Sequence, residues 1–210
     1  MMLKNIGKNA FLLGFVAALC VLILGLVNQL TSPRIQQQNM ISKLAILYEV
    51  LPDADSSQHH LLQDCVLVTD ARFLGRDTPQ AVYRWREQDA VSAYIIETTA
   101  PDGYSGNIDL IVAATPTGTV LGSRVLRHLE TPGLGDKIES RRSDWILSFN
   151  QQPVSDSNLQ KWAVKKDGGQ FDQFTGATIT PRAVVNAVRN AALFLQQHPE
   201  LATMPANCEE

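Results

Sequence analysis

The sequence predicts an α+β protein in which a single N-terminal transmembrane helix is followed by one strand-rich domain with flanking helices. Three observations carry this. Residues 10–27 form an unbroken run of apolar residues and glycine, five short β-branched segments follow one another between residues 66 and 126, and a helical apolar stripe closes the chain on a Thr-Pro start.

The apolar run (AFLLGFVAALCVLILGLV) lies in a stretch from Asn9 to Pro33 without a charged residue. That is about the length a helix needs to cross hydrocarbon. Lys4 and Lys8 precede it and only Arg34 closely follows. The excess of positive charge before the run predicts a cytoplasmic N-terminus, with everything after Thr31 on the far side. A cleaved signal peptide would need a shorter core and small residues at a cleavage site. Asn28, Gln29, Leu30 and Thr31 offer no Ala-x-Ala pattern, and Leu19 before Cys20 disfavours a lipoprotein site.

Beyond the anchor (residues 1–33), residues 34–63 read as an amphipathic helix and a linker. Met40, Ile41, Leu44, Ala45, Leu47, Tyr48 and Leu51 recur at helical spacing up to Pro52. The polar stretch 53–63 contains His59 and His60, read as a solvated loop because no partner with ligand spacing follows. The domain proper spans 64–197. Its strands are expected at 66–69, 81–85, 91–99, 108–114 and 119–126, and their close spacing implies antiparallel pairing. Pro116-Thr117-Gly118 reads as a hairpin connection, and Pro101-Asp102-Gly103 as a turn before Tyr104. A helix is expected at 143–149, with Trp145 and Phe149 on one face. The final helix, 181–197, carries Val184, Val185, Val188, Ala191, Ala192 and Leu195 as a stripe. Thr180 is its expected N-cap and Pro181 its first helical residue. The tail, 198–210, has no period and is expected to pack loosely unless Cys208 ties it down.

Net charge is −3, and setting Lys4 and Lys8 aside leaves 16 of the 18 basic residues against all 21 acidic ones. Such a surface has no electrostatic footprint for nucleic acid. With Cys20 in the apolar run, Cys65 and Cys208 remain, without the spacing of a zinc or iron–sulfur site, so no protein-bound metal is expected. In an exported domain they form either one disulfide closing a long loop or two unreactive thiols.

The segment Asp172-Gln173-Phe174-Thr175-Gly176-Ala177-Thr178-Ile179-Thr180-Pro181 is a hydroxyl-rich turn of small residues entering a helix. Unpaired N–H groups and the positive dipole end of a helix favour an anion such as phosphate at Thr178 or Thr180. On the residues alone, a simple cap at Thr180 and a turn at Thr175 explain the same pattern. Thr131-Pro132-Gly133-Leu134 has the residues of a type II turn whatever its role. Gly133-Leu134-Gly135-Asp136-Lys137 lacks phosphate-loop spacing.

Two matches to a known family decide between these readings. Asp172-x-x-Thr175-Gly176-Ala177-Thr178 resembles the acceptor motif of flavin transferase, which moves FMN from FAD onto a threonine hydroxyl. The resemblance implies covalent FMN on Thr178, with Asp172, Thr175, Gly176 and Ala177 as recognition elements. Residues 100–106 (APDGYSG) and 128–137 (HLETPGLGDK) resemble FMN-binding domains in the G subunit of the Rnf, or Rsx, electron-transport complex. The C subunit of the sodium-pumping NADH:quinone reductase is a related protein. The resemblance implies that Glu130, Thr131, Pro132, Gly133, Leu134, Gly135 and Lys137 lie against the flavin. It further implies an electron relay in a bacterial inner-membrane complex that couples NADH–ferredoxin electron transfer to ion translocation, with the domain periplasmic and the complex's other proteins and flavin transferase as partners. Tyr104, Trp145 and Trp162 read either as ring partners of the isoalloxazine or as core aromatics. Lys165 and Lys166 read either as steering charges or as a solvated pair.

Overall fold

The computed structural model describes residues 2–51 and 61–208, with side chains described at 13–32, 45–51 and 61–208. His59 and His60, and the side chains of Met40, Ile41 and Leu44, lie outside the described residues. The chain divides into two units, Met1–Ala45 and Ile46–Glu210.

The first unit is helical throughout its described residues: the expected anchor and the segment after it lie in α1 (Met2–Glu49), whose last residues belong to the second unit. Leu13–Ser32 is long and apolar enough to cross a membrane. Its side chains are almost all bare, Leu13 being 74% and Leu30 69% exposed. So large an apolar surface requires a cover that water does not supply.

Among the described residues of the second unit, six antiparallel strands form one sheet in chain order: β1 (Cys65–Val68), β2 (Gln80–Glu87), β3 (Ala90–Gly103), β4 (Gly106–Ala114), β5 (Thr119–Arg127) and β6 (Gln152–Pro153). The five expected strands are all present. β6 is an addition of two residues paired with Thr119 and Val120. The expected turn at Pro101-Asp102-Gly103 is a correction: these residues belong to β3, the register slips between Ala100 and Gly103, and the chain reverses at Tyr104-Ser105. Pro, Asp and Gly are turn formers, but a bulge leaves its extra residues outside the ladder, so the strand tolerates proline there and continues to Gly103.

One face of the sheet packs on α3 (Ile179–Gln197), whose Val184, Val185, Val188, Ala191, Ala192 and Leu195 are buried against Val82, Ile96, Leu110 and Val112. On the alternate positions Ile95, Ile111 and Ala113 are also fully buried, and Leu47 near the end of α1 and Val50 and Leu51 just after it are buried too. A short helix, α2 (Ala71–Leu74), begins where Asp70 accepts from the N–H groups of Arg72 and Phe73 and ends at Gly75, φ +74. The expected 143–149 helix is a 3₁₀ segment, Asp144–Phe149, capped by the Ser143 hydroxyl.

The C-terminal tail is tied down, the exception its sequence left open. Cys208 is bonded to Cys65, with Cα atoms 5.5 Å apart. Asn207 pairs with β1, its N–H donating to Cys65 O at 3.0 Å and its side chain accepting from Leu67 N at 2.6 Å. From β2, Arg84 donates to Leu201 O and Met204 O, and Arg86 to Ala202 O.

Candidate functional site

The acceptor-like loop is held by aromatic packing. Phe171 and Phe174 are buried on either side of the exposed Asp172 and Gln173. Phe171 lies 4.7 Å from Phe149 and 4.9 Å from Trp162 between ring centroids, and Phe174 lies 5.1 Å from Trp145. Just upstream the chain coils on itself: Lys165 N donates to Phe171 O at 2.7 Å and Gly169 N to Val164 O at 3.1 Å. Gly169 is required here, since a Cβ would sit 1.9 Å from Ala163 O. After Phe174 the loop turns at Gly176, φ +81, and Ala177 N closes it onto Phe174 O at 3.1 Å.

The loop delivers Thr178 to the N-cap position of α3, half-buried, where its side chain makes no capping hydrogen bond. This corrects the expectation at Thr180. The helix starts before Thr180, which lies inside its first turn and spends its hydroxyl on the Glu130 carboxylate instead of on a cap. Pro181 is tolerated as the third helical residue because the N–H groups of a first turn have no intrahelical partner.

Opposite Thr178 the residues after β5 make a tight turn, with Gly133 at φ +77 and Leu134 N donating to Thr131 O at 3.2 Å. Glu130 is buried at the base of this turn. Its N–H donates to His128 Nδ1 at 3.0 Å, so the ring proton sits on Nε2, which donates to Glu139 Oε1 at 2.7 Å. Arg141 also bonds Glu139 and, as the main cause, holds its carboxyl down at about 2 despite partial burial.

Between the two segments lies a cleft of about 270 Å³ lined by Tyr104, Glu130, Thr131, Leu134, Gly135, Gly176, Ala177, Thr178, Ile179 and Thr180. Thus Glu130, Thr131, Leu134, Gly135, Gly176, Ala177 and Thr178, drawn from two segments far apart in the chain, are brought together. Pro132 and Gly133 are exposed on the turn outside the lining, as is Lys137, and Thr175 is exposed on its own loop. Asp172 is not part of the cleft's lining and pairs with Lys165 Nζ at 2.5 Å. Of the three aromatics, Tyr104 lines the cleft and is 67% exposed, Trp145 braces the acceptor-like loop, and Trp162 is a fully buried core residue stacked on Phe149 at 5.9 Å. Sequence reasoning missed Ile179 as a cleft residue, and it read Thr180 both as a site for an anion and as a simple cap. The signal for Ile179 was its place between two hydroxyl residues at the helix start.

The lining fits a phosphate-bearing ring compound. A threonine hydroxyl free of capping duty stands at the positive end of a 19-residue helix, where an anion is stabilised. Tyr104, Leu134 and Ile179 offer exposed apolar surface beside it. There is also room at the turns: a Cβ on Gly176 would meet only Leu134 Cδ2 at 3.9 Å, and one on Gly133 nothing within 4 Å.

Residues 103–193, which contain every residue of that lining, match the family model of the FMN-binding domain. The class is therefore an FMN-binding domain joined to an apolar helix. Residues 1–50 match a second model, the RnfG N-terminal region. The chain is 49% identical over 210 residues to the G subunit of the ion-translocating oxidoreductase complex of Shewanella piezotolerans, covering 99% of this chain and 98% of that protein. The Yersinia pestis protein of the same name is 49% identical with full coverage of both chains, and that of Salmonella typhimurium 52% over 198 residues, 94% of this chain and 95% of its own. The chain belongs to the G-subunit family of ion-translocating oxidoreductase complexes.

Proposed function

We propose that this chain is the covalently flavinylated, membrane-anchored electron relay of an ion-translocating oxidoreductase complex, with FMN esterified to Thr178. The observation that carries the reading is the position of Thr178: half-buried in the cleft, at a helix N-terminus, with a hydroxyl that caps nothing. Flavin transferase would break the phosphoanhydride of FAD and form a phosphoester to Thr178 Oγ1, AMP leaving with the hydroxyl proton. Asp172, Thr175, Gly176 and Ala177 present the segment for that transfer. The exposure of Asp172, Thr175 and Gly176 suits contact with another enzyme.

When bound, FMN supplies the electron transfer. The chain's own residues hold and shape it. First-turn N–H groups of α3 would hold the phosphoester charge at Thr178. Tyr104, Leu134 and Ile179 would supply apolar contact, with Glu130, Thr131 and Gly135 beside them in the lining, while Pro132, Gly133 and Lys137 on the exposed part of the same turn would approach the ring only from outside it. The cleft is slightly smaller than the roughly 300–1,000 Å³ usual for enclosed ligands. A flavin would stay partly exposed, as a relay exchanging electrons with neighbouring proteins requires.

The flavin-carrying domain is residues 64–197, joined through 34–63 to the anchor 1–33 and overlaid by the tail 198–210. The positive charge of Lys4 and Lys8 ahead of the apolar run supports a cytoplasmic N-terminus, with the domain on the periplasmic side of a bacterial inner membrane. A Cys65–Cys208 disulfide suits an oxidising compartment. The electrons belong to NADH–ferredoxin exchange coupled to ion movement, and the partners are the other proteins of the complex. The test is the mass of the digested protein from cells containing flavin transferase. The Thr178 peptide is expected to be heavier by FMN less one water; an unmodified peptide in fully matured protein refutes covalent attachment at this residue.

A further inference from the structure

Glu130 is 4% exposed, yet among the described residues no basic side chain forms an ion pair with it. Its Oε1 accepts the N–H of Ser105 at 2.9 Å, and its Oε2 accepts the hydroxyl of Thr180. Ser105 belongs to the β3–β4 turn that carries Tyr104, Thr180 to the first turn of α3 beside Thr178, and Glu130 itself to the turn that carries Thr131 and Leu134. One side chain therefore ties together all three walls of the cleft. The fit leaves no slack: a Cβ on Gly135 would lie 3.0 Å from both Glu130 Oε2 and Thr180 Oγ1.

A buried carboxylate is costly without a counter-charge. Here two hydrogen bonds and the positive end of α3 offset part of that cost, because acceptors near a helix N-terminus face its unpaired N–H groups and partial positive charge. The negative charge remains beside the cleft, in surroundings where charges are screened far less than in water.

We propose that Glu130 is a positioning residue with two separable effects: as a strut it fixes the three walls of the flavin cleft, and as a charge it lowers the reduction potential of the flavin held there. This rests on the reading that FMN occupies the cleft. Two-electron reduction of the flavin near neutral pH takes up one proton, so one negative charge is added net, and a nearby fixed anion opposes that addition.

The test uses the full-length flavinylated protein in detergent, titrated with dithionite as the electron source against reference dyes, alongside thermal unfolding. Glu130→Gln keeps an amide able to bond both Ser105 and Thr180 but removes the charge. Glu130→Asp keeps the charge but is one methylene too short to reach both partners. The expected result is a double dissociation. Glu130→Gln shifts the potential positive with little change in Tm, while Glu130→Asp lowers Tm and leaves the potential near that of the parent. A potential unchanged in Glu130→Gln, or potentials that follow Tm across the two variants, overturns the proposal. Covalent flavin is read on the denatured parent protein in the same experiment. Its absence overturns the reading of Thr178 itself, whereas flavin that is present but insensitive to Glu130 overturns only the role given to this residue.

Discussion

The indole N–H of Trp145 donates to the backbone carbonyl of Asp172 at 2.7 Å, tying the 3₁₀ segment after β5 to the first residue of the acceptor-like loop. The same indole packs edge-on against Phe149 and Phe174, at 5.2 and 5.1 Å. Trp145→Phe retains an aromatic ring in that packing and deletes the donor. It is expected to cost about 0.5–1.5 kcal/mol in urea unfolding, and to slow FMN transfer by purified flavin transferase in a time course. An unchanged transfer rate would show that the loop is presented correctly without this tether.

Thr178→Ala is expected to abolish covalent flavin while leaving the domain folded. Because Thr178 makes no side-chain capping bond, the usual penalty of about 1 kcal/mol for losing an N-cap should be largely absent. Thr178→Ser, which keeps a hydroxyl, should still accept flavin. In-gel flavin fluorescence and far-UV circular dichroism check both variants; flavin persisting in the alanine variant would place the attachment elsewhere.

The elements legible in the sequence are those whose pattern is local. β1 to β5 announce themselves by β-branched runs, and α3 by its stripe. β6 is only Gln152-Pro153 and has no pattern to read. The start of α3 was misplaced because Thr180-Pro181 carries a genuine capping signature, whereas the bond that overrides it reaches Glu130, 50 residues away. Trp162 was ambiguous for a similar reason: its burial depends on Phe149 and Phe171. The cleft itself was legible only as two separate segments. What the residues could not reveal was that Glu130 bonds both Ser105 of the β3–β4 turn and Thr180, which joins these segments around one cleft.

Gly135 and Gly176 both border the cleft but should respond differently to alanine. At Gly135 a Cβ would lie 2.9 Å from Glu130 Cβ and 3.0 Å from Thr180 Oγ1, so overpacking is expected to cost roughly 1–3 kcal/mol and to disturb the strut. At Gly176 there is space, and the cost is that of φ +81 for an L residue, about 1–2 kcal/mol. Thermal unfolding gives the first comparison. Flavin content separates the second, since Gly176→Ala also alters the recognition segment.

Glu139 should give the domain an acid-sensitive increment of stability. Its hydrogen bond to Arg141 is the largest influence on its carboxyl; partial burial opposes it and His128 adds to it, leaving a folded value of about 2 against 4.5 for the free group. A depressed folded value means that the stabilisation is fully present above about 4.5 and is lost as pH falls towards 2. Glu139→Gln is therefore expected to flatten the fall in urea midpoint over that window. Some slope should remain, because Arg182, bonded to Asp167 at 2.6 and 2.8 Å, lowers that carboxyl in the same direction. An identical pH profile in parent and variant would exclude Glu139 as a contributor.

The Cys65–Cys208 bond closes a loop of 143 residues in sequence separation, and its removal acts mainly on the unfolded chain. Cross-links over loops this long typically contribute roughly 2–5 kcal/mol. The folded tail keeps other anchors: Arg84 to Leu201 O at 2.9 Å and Met204 O at 2.6 Å, and Asn207 to Cys65 O at 3.0 Å. A Cys65→Ser, Cys208→Ser variant should therefore retain its native circular dichroism while its urea midpoint falls, and dithiothreitol should lower the midpoint of the parent but not of the variant. Thiol labelling of the native, unreduced parent distinguishes the alternatives directly. Labelling at Cys65 and Cys208 before reduction would mean two free thiols, and the stability difference should then vanish.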